Sequence, residues 1–363
     1  MNWLKKRTIT IAGAGPSGMT AAIILAKAGH KVRVFERHPN VGERFNDDYQ
    51  GLENWSREED VLDEIRNMDI EPTWWQRPFS GGSLFDPDLR PIEIEAQRPL
   101  FYLVRRGNSH PASLDLALLR QAQELSVEFI FNKPADITDV DIMAGGPRGK
   151  PCAIAAGLTF TTNRDDYMCA ILSERLAPGG YAYLLIADGQ ATLATVLFTK
   201  FKKAQECLKD SSDVIKQLLN ISEFSNAKYW GGYGSFSIPQ TGERDGVLYV
   251  GEAGGFQDFL FGFGIRSAMV SANLAAQSII HKTSYDELWH DRLLPHLKAS
   301  FADRMIYESF DRIVKRGFWL VIGNHKCPES FMRWLYSNSI IHKAIYSITH
   351  KKNARRLGKP DTY

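Results

Sequence analysis

Short alternating runs and longer helical ones succeed each other along this chain. In Thr8-Ile-Thr-Ile-Ala12 the two isoleucines fall on one face of a strand. Met19-Thr-Ala-Ala-Ile-Ile-Leu-Ala-Lys-Ala28 is rich in strong helix formers, and Gly29 stands where a left-handed C-terminal cap belongs. Lys31-Val-Arg-Val-Phe-Glu36 alternates again, so the opening segment reads strand, turn, helix, strand. From Gly157 to Lys200 the texture is that of a β-sheet. Leu158–Thr162, Tyr181–Ala187 and Thr192–Phe198 read as strands, with Ala187-Asp-Gly-Gln190 as a hairpin turn. Phe201–Leu219 reads as an amphipathic helix. Leu248-Tyr-Val250 is a buried-type strand, and Ile265–Ile280 is a long helix of small residues. Beyond residue 285 the chain is helical and aromatic, with Phe310, Phe318, Trp319, Phe331, Trp334, Tyr336 and Tyr346, and it ends in a basic cluster, Lys351-Lys-Asn-Ala-Arg-Arg356.

Two glycine-dense turns punctuate this pattern. Gly13, Gly15 and Gly18 follow the first strand at G-x-G-x-x-G spacing. Gly13 permits the tight turn, Gly15 leaves room for a pyrophosphate, and Gly18 lets the helix pack close to the strand. Ala14, Pro16 and Ser17 complete the loop, and the first-turn N–H groups favour a phosphate. Glu36 ends the second strand, where a carboxylate accepts from ribose hydroxyls and repels a 2′-phosphate. This half of the pattern does not separate NAD from FAD. The second turn runs from Gly246-Val-Leu-Tyr-Val-Gly251-Glu252 to Gly262-Phe-Gly264-Ile265 and opens the long helix. It brings a second helix N-terminus to the same ligand, and one extended dinucleotide spanning both turns points to FAD.

Residues 251–271 resemble the third flavin motif of the p-hydroxybenzoate hydroxylase superfamily, G-D-A-A-x-x-x-x-P-x-x-G-x-G, in particular as the geranylgeranyl reductase branch carries it. Gly251, Ala253, Gly255, Phe256, Gly262, Gly264, Ile265, Ala268, Met269 and Ser271 match. Glu252 replaces the aspartate that holds the ribityl chain, and Phe259 replaces the proline beside the flavin, placing a bulky ring near the expected isoalloxazine. Tyr102-Leu-Val-Arg105-Arg106 followed by Leu114-Asp115 is similar to the family's arginine–aspartate–helix element, with Arg105 and Arg106 both eligible to meet the flavin. Asp141-Ile-Met-Ala144-Gly145-Gly146 stands where hydroxylases read A-D-G and reductases A-T-G, which moves weight away from an aromatic hydroxylase. Pro178-Gly-Gly-Tyr181-Ala-Tyr183 resembles the reductases' P-x-x-Y-x-W element. The reductases' cysteine near a C-G-E-like turn is missing from Val41-Gly-Glu-Arg44-Phe-Asn-Asp-Asp48. Arg37 and Arg44 complete the expected cofactor contacts.

The resemblance implies an α/β fold: a Rossmann-like FAD-binding domain of the glutathione reductase βαβ type, an inserted β-sheet substrate domain and a C-terminal helical region. The boundaries expected are 1–75, 96–156 and 236–284 for the FAD domain, 76–95 and 157–235 for the substrate domain, and 285–363 for the helices. If FAD is bound, the flavin performs the redox step and the protein supplies position and electrostatics. Trp74, Trp75, Tyr183, Trp230, Tyr233, Phe259 and Phe261 are candidates for the wall of an apolar substrate pocket, each with a plain core reading beside it. Tyr49 and Tyr233 are weak candidates for proton donors. There is no second G-x-G-x-x-G, so NAD(P)H either reaches the flavin without a domain of its own or another donor serves.

Composition narrows the classes further. The 363 residues carry a net charge of +2, giving no global pull toward nucleic acid. Cys152, Cys169, Cys207 and Cys327 share no C-x-x-C spacing and read as reduced thiols of a cytoplasmic protein, and the nine histidines form no metal-binding pattern. The aromatic, basic tail admits two readings, a membrane-surface element or a helical layer packed on the substrate domain. The leading expectation is an FAD-dependent reductase or dehydrogenase of a hydrophobic, isoprenoid-like molecule. The alternatives are an NAD(P)H-dependent flavin monooxygenase or halogenase-like enzyme, although W-x-W-x-I-P is absent, and a non-catalytic flavoprotein.

Overall fold

The computed structural model describes residues 7–310 and 328–350, with Lys315, Gly317 and Leu320 between them. Phe318, Trp319, Cys327 and the basic cluster 351–356 lie outside the described residues. The chain opens with β1 (Ile9–Ala12), α1 (Pro16–Lys27) and β2 (Val32–Phe35). β3 (Tyr49–Glu53), α2 (Val61–Asn67), β4 (Gln76–Phe79), β5 (Gly81–Phe85) and β6 (Pro91–Glu95) follow. β7 (Phe101–Arg105) leads through α3 (Leu114–Glu124) to β8 (Glu128–Ile130) and β9 (Ile142–Met143). Next come β10 (Ala153–Thr161), β11 (Tyr167–Ile171), β12 (Tyr181–Ala187), β13 (Gln190–Leu197), α4 (Ala204–Leu219) and β14 (Ser225–Gly234). β15 (Glu243–Arg244), β16 (Val247–Tyr249), α5 (Ile265–His281), α6 (Tyr285–Arg292) and α7 (Leu294–Ser309) return the chain to its start, followed by α8 (Pro328–Leu335) and α9 (Ile340–Thr349).

Three sheets result. The first, in order β15-β16-β9-β1-β2-β8, is parallel except at β15. α1 is buried from Ser17 to Leu25 because it lies between this sheet and α3 and α5. That position accounts for its apolar character all round. The second sheet, β14-β10-β13-β12-β11-β5-β6, is antiparallel except where β5 meets β11. Its Asp188-Gly189 hairpin has both residues at positive φ, +46° and +75°, as a type I′ turn requires. The third sheet is β3-β7-β4, and the Tyr49 N–H of β3 donates to Thr192 Oγ1 of the large sheet at 2.8 Å. β4 pairs there with β7, whereas β5 and β6 belong to the large sheet.

The strand alternation decides which face of the large sheet is free for a ligand. Ala156, Leu158 and Phe160 of β10, with Leu184, Ile186 and Leu193, pack against Cys207, Leu208 and Ile215 of α4. The intervening residues, Gly157, Thr159, Tyr181, Tyr183, Thr192, Ala194 and Trp230, therefore occupy the opposite face. The fold is thus α/β, a Rossmann-like parallel sheet beside a large antiparallel one, with helices after α5. Among the described residues no helix is long and apolar enough to cross a membrane.

Candidate functional site

The first turn is closed by approaches that a side chain would block. A Cβ on Gly13, at φ +101°, would lie 2.4 Å from the Ala144 carbonyl oxygen, and one on Gly18 would lie 1.9 Å from that of Gly13. At Gly15 a Cβ would meet nothing, so a cradle stands open at the N-terminus of α1. This helix has Pro16 in its first turn, no acidic residue there and no side-chain cap. Its unbonded N–H groups make an anion site. Glu36 is fixed beside the turn: its Oε2 accepts from the Ala14 N–H at 2.9 Å and its Oε1 from the His38 N–H at 3.0 Å. Each oxygen keeps acceptor capacity for a ribose hydroxyl. Arg37 is exposed and donates to His38.

The second turn meets the first. Gly251 stands at φ +57°, and a Cβ there would lie 2.8 Å from Ser17 Oγ and 3.1 Å from Ser17 Cβ. Its N–H donates to Ser271 Oγ at 2.9 Å. Glu252 follows, its side chain 22% exposed and 3.8 Å from Arg44 Nη2. Burial pushes its pKa up, and Arg44 and Arg106 oppose the shift only by charge. Among the described residues nothing donates a hydrogen bond to this carboxylate, so its acceptor sites are open to hydroxyls of a ligand. Gly262, at φ +83°, and Gly264 lead into Ile265 and α5, again without a side-chain cap or an acid in the first turn. Ala144, Gly145 and Gly146 close the third side, and Arg44 Nη1 lies 3.6 Å from where a Cβ of Gly146 would be.

The paired arginines diverge. Arg106 is buried, donates to both oxygens of Asp115 at 2.9 and 3.0 Å and to Gln50 Oε1 at 2.9 Å, and lies 4.1 Å above the Phe45 ring. Arg105 reaches the large sheet, donating to Gln190 Oε1 at 2.8 Å, with its guanidinium 5.1 Å from the ring centres of both Tyr49 and Trp75. Two further acids were not expected from the sequence. Asp48 is fully buried and burial pushes its pKa up to about 6, against a hydrogen bond from Gln50 and the charge of Arg106. Asp258 is pushed up to about 6 by burial, although it accepts from the Leu260 and Phe261 N–H groups and the Tyr336 hydroxyl. For Asp258 the signal available was a charge inside the aromatic run Phe256–Phe261; Asp48, among the polar residues 46–50, left none.

The expected pocket residues separate into two groups. Tyr183 lies on the inner face of the large sheet beside Tyr181, 6.1 Å between ring centres. Phe261 stands edge-on to Tyr181 and Trp55, and its carbonyl accepts from the Tyr181 hydroxyl at 2.6 Å. Trp230 lies across Gly157, whose Cβ would come within 2.3 Å of the indole. Three strand spacings separate it from Tyr183, about 14 Å, across a floor of small residues. Trp75 stacks on Tyr49 at 5.2 Å and donates to Asp188 at the rim.

Trp74 and Phe259 do not line this face. Trp74 is 3% exposed in the core around the parallel sheet. Phe259 is wedged edge-on between Phe236 and Phe301 at 5.2 and 5.4 Å. The ring therefore ties the glycine loop to α7, where the sequence placed it against the cofactor. Tyr49 is equally unavailable as a proton donor: it is fully buried and donates to the Ala187 carbonyl at 2.8 Å. Tyr233 is exposed and donates to the Pro147 carbonyl at 3.2 Å.

Comparison with known proteins agrees with this architecture. A family model described as an NAD(P)-binding Rossmann-like domain matches residues 11–53. The digeranylgeranylglycerophospholipid reductase of Methanocaldococcus jannaschii is 24% identical over 83% of this chain and 86% of its own length. A geranylgeranyl bacteriochlorophyll reductase-like protein from Thermoplasma acidophilum superposes with a TM-score of 0.69 at 16% identity, over 97% of this chain and 98% of that one. A 2-methyl-3-hydroxypyridine-5-carboxylic acid oxygenase superposes with a TM-score of 0.61 at 17% identity, over 92% of this chain and all of that one. The two structural likenesses are likenesses of fold.

Proposed function

We propose that this chain is an FAD-dependent oxidoreductase acting on a hydrophobic, isoprenoid-like molecule, similar to the geranylgeranyl reductases. The observation that carries the reading is the contact of the two glycine turns at Ser17 and Gly251, with the donor-poor carboxylate of Glu252 beside it. When bound, FAD supplies the redox chemistry. Glu36 would hold the adenosine ribose, the N-terminus of α1 with Arg44 the pyrophosphate, and Glu252 the ribityl hydroxyls. Arg106 keeps the loop 45–50 in place through Phe45 and Gln50. The positive end of α5 favours negative charge on the group held at Gly264. Tyr183, Phe261 and Trp230 exclude water from the face of the large sheet and offer apolar surface to the substrate.

A monooxygenase is the second reading, favoured by the fold shared with the oxygenase. In either case NAD(P)H would be a donor without a domain of its own. The two readings part in one experiment. The dithionite-reduced holoprotein is incubated anaerobically with a geranylgeranyl lipid, and the products are weighed by mass spectrometry. Two added hydrogens per double bond are expected. An added oxygen in air with NADPH consumption, and no anaerobic product, would replace the reductase by the monooxygenase.

A further inference from the structure

The corner formed by α8 and α9 exposes apolar side chains that the fold does not need. Trp334 is 46% exposed, Ile340 84%, Ile341 56% and Ile348 69%. On α9, Ile340, Ala344 and Ile348 follow at intervals of four and share a face with Ile341. This face cannot turn inward, because the opposite one is fastened. His342 is 1% exposed, with Nε2 3.1 Å from Asp303 Oδ1 and Nδ1 bonded to Ser339, and Tyr346 packs edge-on against Phe301 of α7. The isoleucines are thereby held outward.

Charge is concentrated in the same stretch. Residues 330–360 contain seven Lys and Arg and no Asp or Glu, whereas the rest of the chain has 37 basic against 42 acidic residues. Arg333 and Lys343 flank the apolar face, with Glu58 opposite Arg333 at 3.0 Å, and Lys351, Lys352, Arg355, Arg356 and Lys359 follow α9 in the sequence. Arg333, Ser337 and Asn338 also wall a cavity of about 410 Å³ with Arg57, Arg292 and His296, and with the acids Glu58 and Glu59. An exposed apolar strip in a stretch of seven cations and no acid, next in the chain to the Ser337 and Asn338 of the cavity wall, matches an anionic lipid surface, where the strip enters the acyl boundary and cations meet phosphate.

We infer that the α8–α9 corner docks this protein on anionic phospholipid bilayers. Docking sets the cavity mouth at the bilayer. Only that purpose rests on the proposed action on a lipid-like substrate; the binding itself does not. The test is co-sedimentation of the full chain with phosphatidylcholine–phosphatidylglycerol vesicles, using pure phosphatidylcholine vesicles as the neutral comparison. The wild type is expected to bind the mixed vesicles and to be released by salt. I340S/I341S/I348S should bind at least about tenfold more weakly, with unfolding temperature and flavin content unchanged because all three side chains are exposed. Wild-type protein that stays in the supernatant, or triple-variant binding equal to wild type, would overturn the inference. So would a lipid-free dimer in sedimentation velocity that the substitutions dissolve, since the face would then belong to a second copy. Flavin absorbance, read on the same samples, reports separately on the cofactor reading.

Discussion

Gly251→Ala tests the contact between the two glycine turns. The added methyl meets Ser17 Oγ at 2.8 Å and Ser17 Cβ at 3.1 Å, and it must sit at φ +57°. The left-handed backbone costs about 1–2 kcal/mol for a non-glycine residue, and forced overpacking costs about 1–3 kcal/mol more. The sum, ~2–5 kcal/mol, falls on the joint that carries the proposed cofactor site. Ser17→Gly removes both clashing atoms, at a cost of its own of about 0.5–1 kcal/mol in helix stability. In a double-mutant cycle the pair should therefore recover about 1–3 kcal/mol relative to the sum of the singles. The assay is urea unfolding of all four proteins, with FAD titration by fluorescence alongside. Weakening of FAD binding by tenfold corresponds to about 1.4 kcal/mol, so the single variant should lose at least that factor. Additive effects within about 0.5 kcal/mol would show that Ser17 and Gly251 are not in contact, and the account of the site would fail with them.

Arg106→Lys should destabilise by about 3 kcal/mol in urea, because one ammonium cannot replace the paired bonds to the buried Asp115; a loss under about 1 kcal/mol would contradict the bidentate geometry. Asp48 has an ordinary pKa of 3.8, raised to about 6 in the fold, so the folded state holds an extra proton between those values. Its contribution is full below pH 3.8 and is lost as pH rises through about 6, an effect of order 2–3 kcal/mol. Asp48→Asn should flatten that part of the unfolding-temperature profile against pH, and an unchanged slope would count against it. Phe259→Ala should cost about 3–5 kcal/mol in stability by emptying the space between Phe236 and Phe301, where a pocket residue would alter substrate preference at little cost in stability.

The elements were legible wherever a period or a glycine dictated them. The G-x-G-x-x-G turn, the Asp188-Gly189 hairpin and the helix after Gly264 follow from local rules, and Glu36 stands beside Ala14 because the βαβ unit leaves the end of the second strand next to the first turn. Pairings made by tertiary packing were not legible. Trp74, Trp75, Phe259 and Phe261 have the same apolar character in the sequence, yet Trp74 and Phe259 went to the core and Phe261 to the inner face. Strand register and the docking of α7 decide that, and neither leaves a local mark. Arg105 and Arg106 were indistinguishable until the fold sent one, the last residue of β7, toward Gln190 and the other, just after it, toward Asp115. Asp48 and Asp258 escaped notice because an acid in a loop is ordinarily solvated, and only the closed fold shows them buried.

FAD titration of the purified chain, followed by flavin fluorescence and by calorimetric stoichiometry, tests the central claim most directly. One FAD per chain is expected for the wild type. Glu36→Arg should bind at least about tenfold more weakly, because it removes the carboxylate assigned to the ribose. A chain that takes up no FAD, or a variant that binds it as tightly as the wild type, would contradict the account.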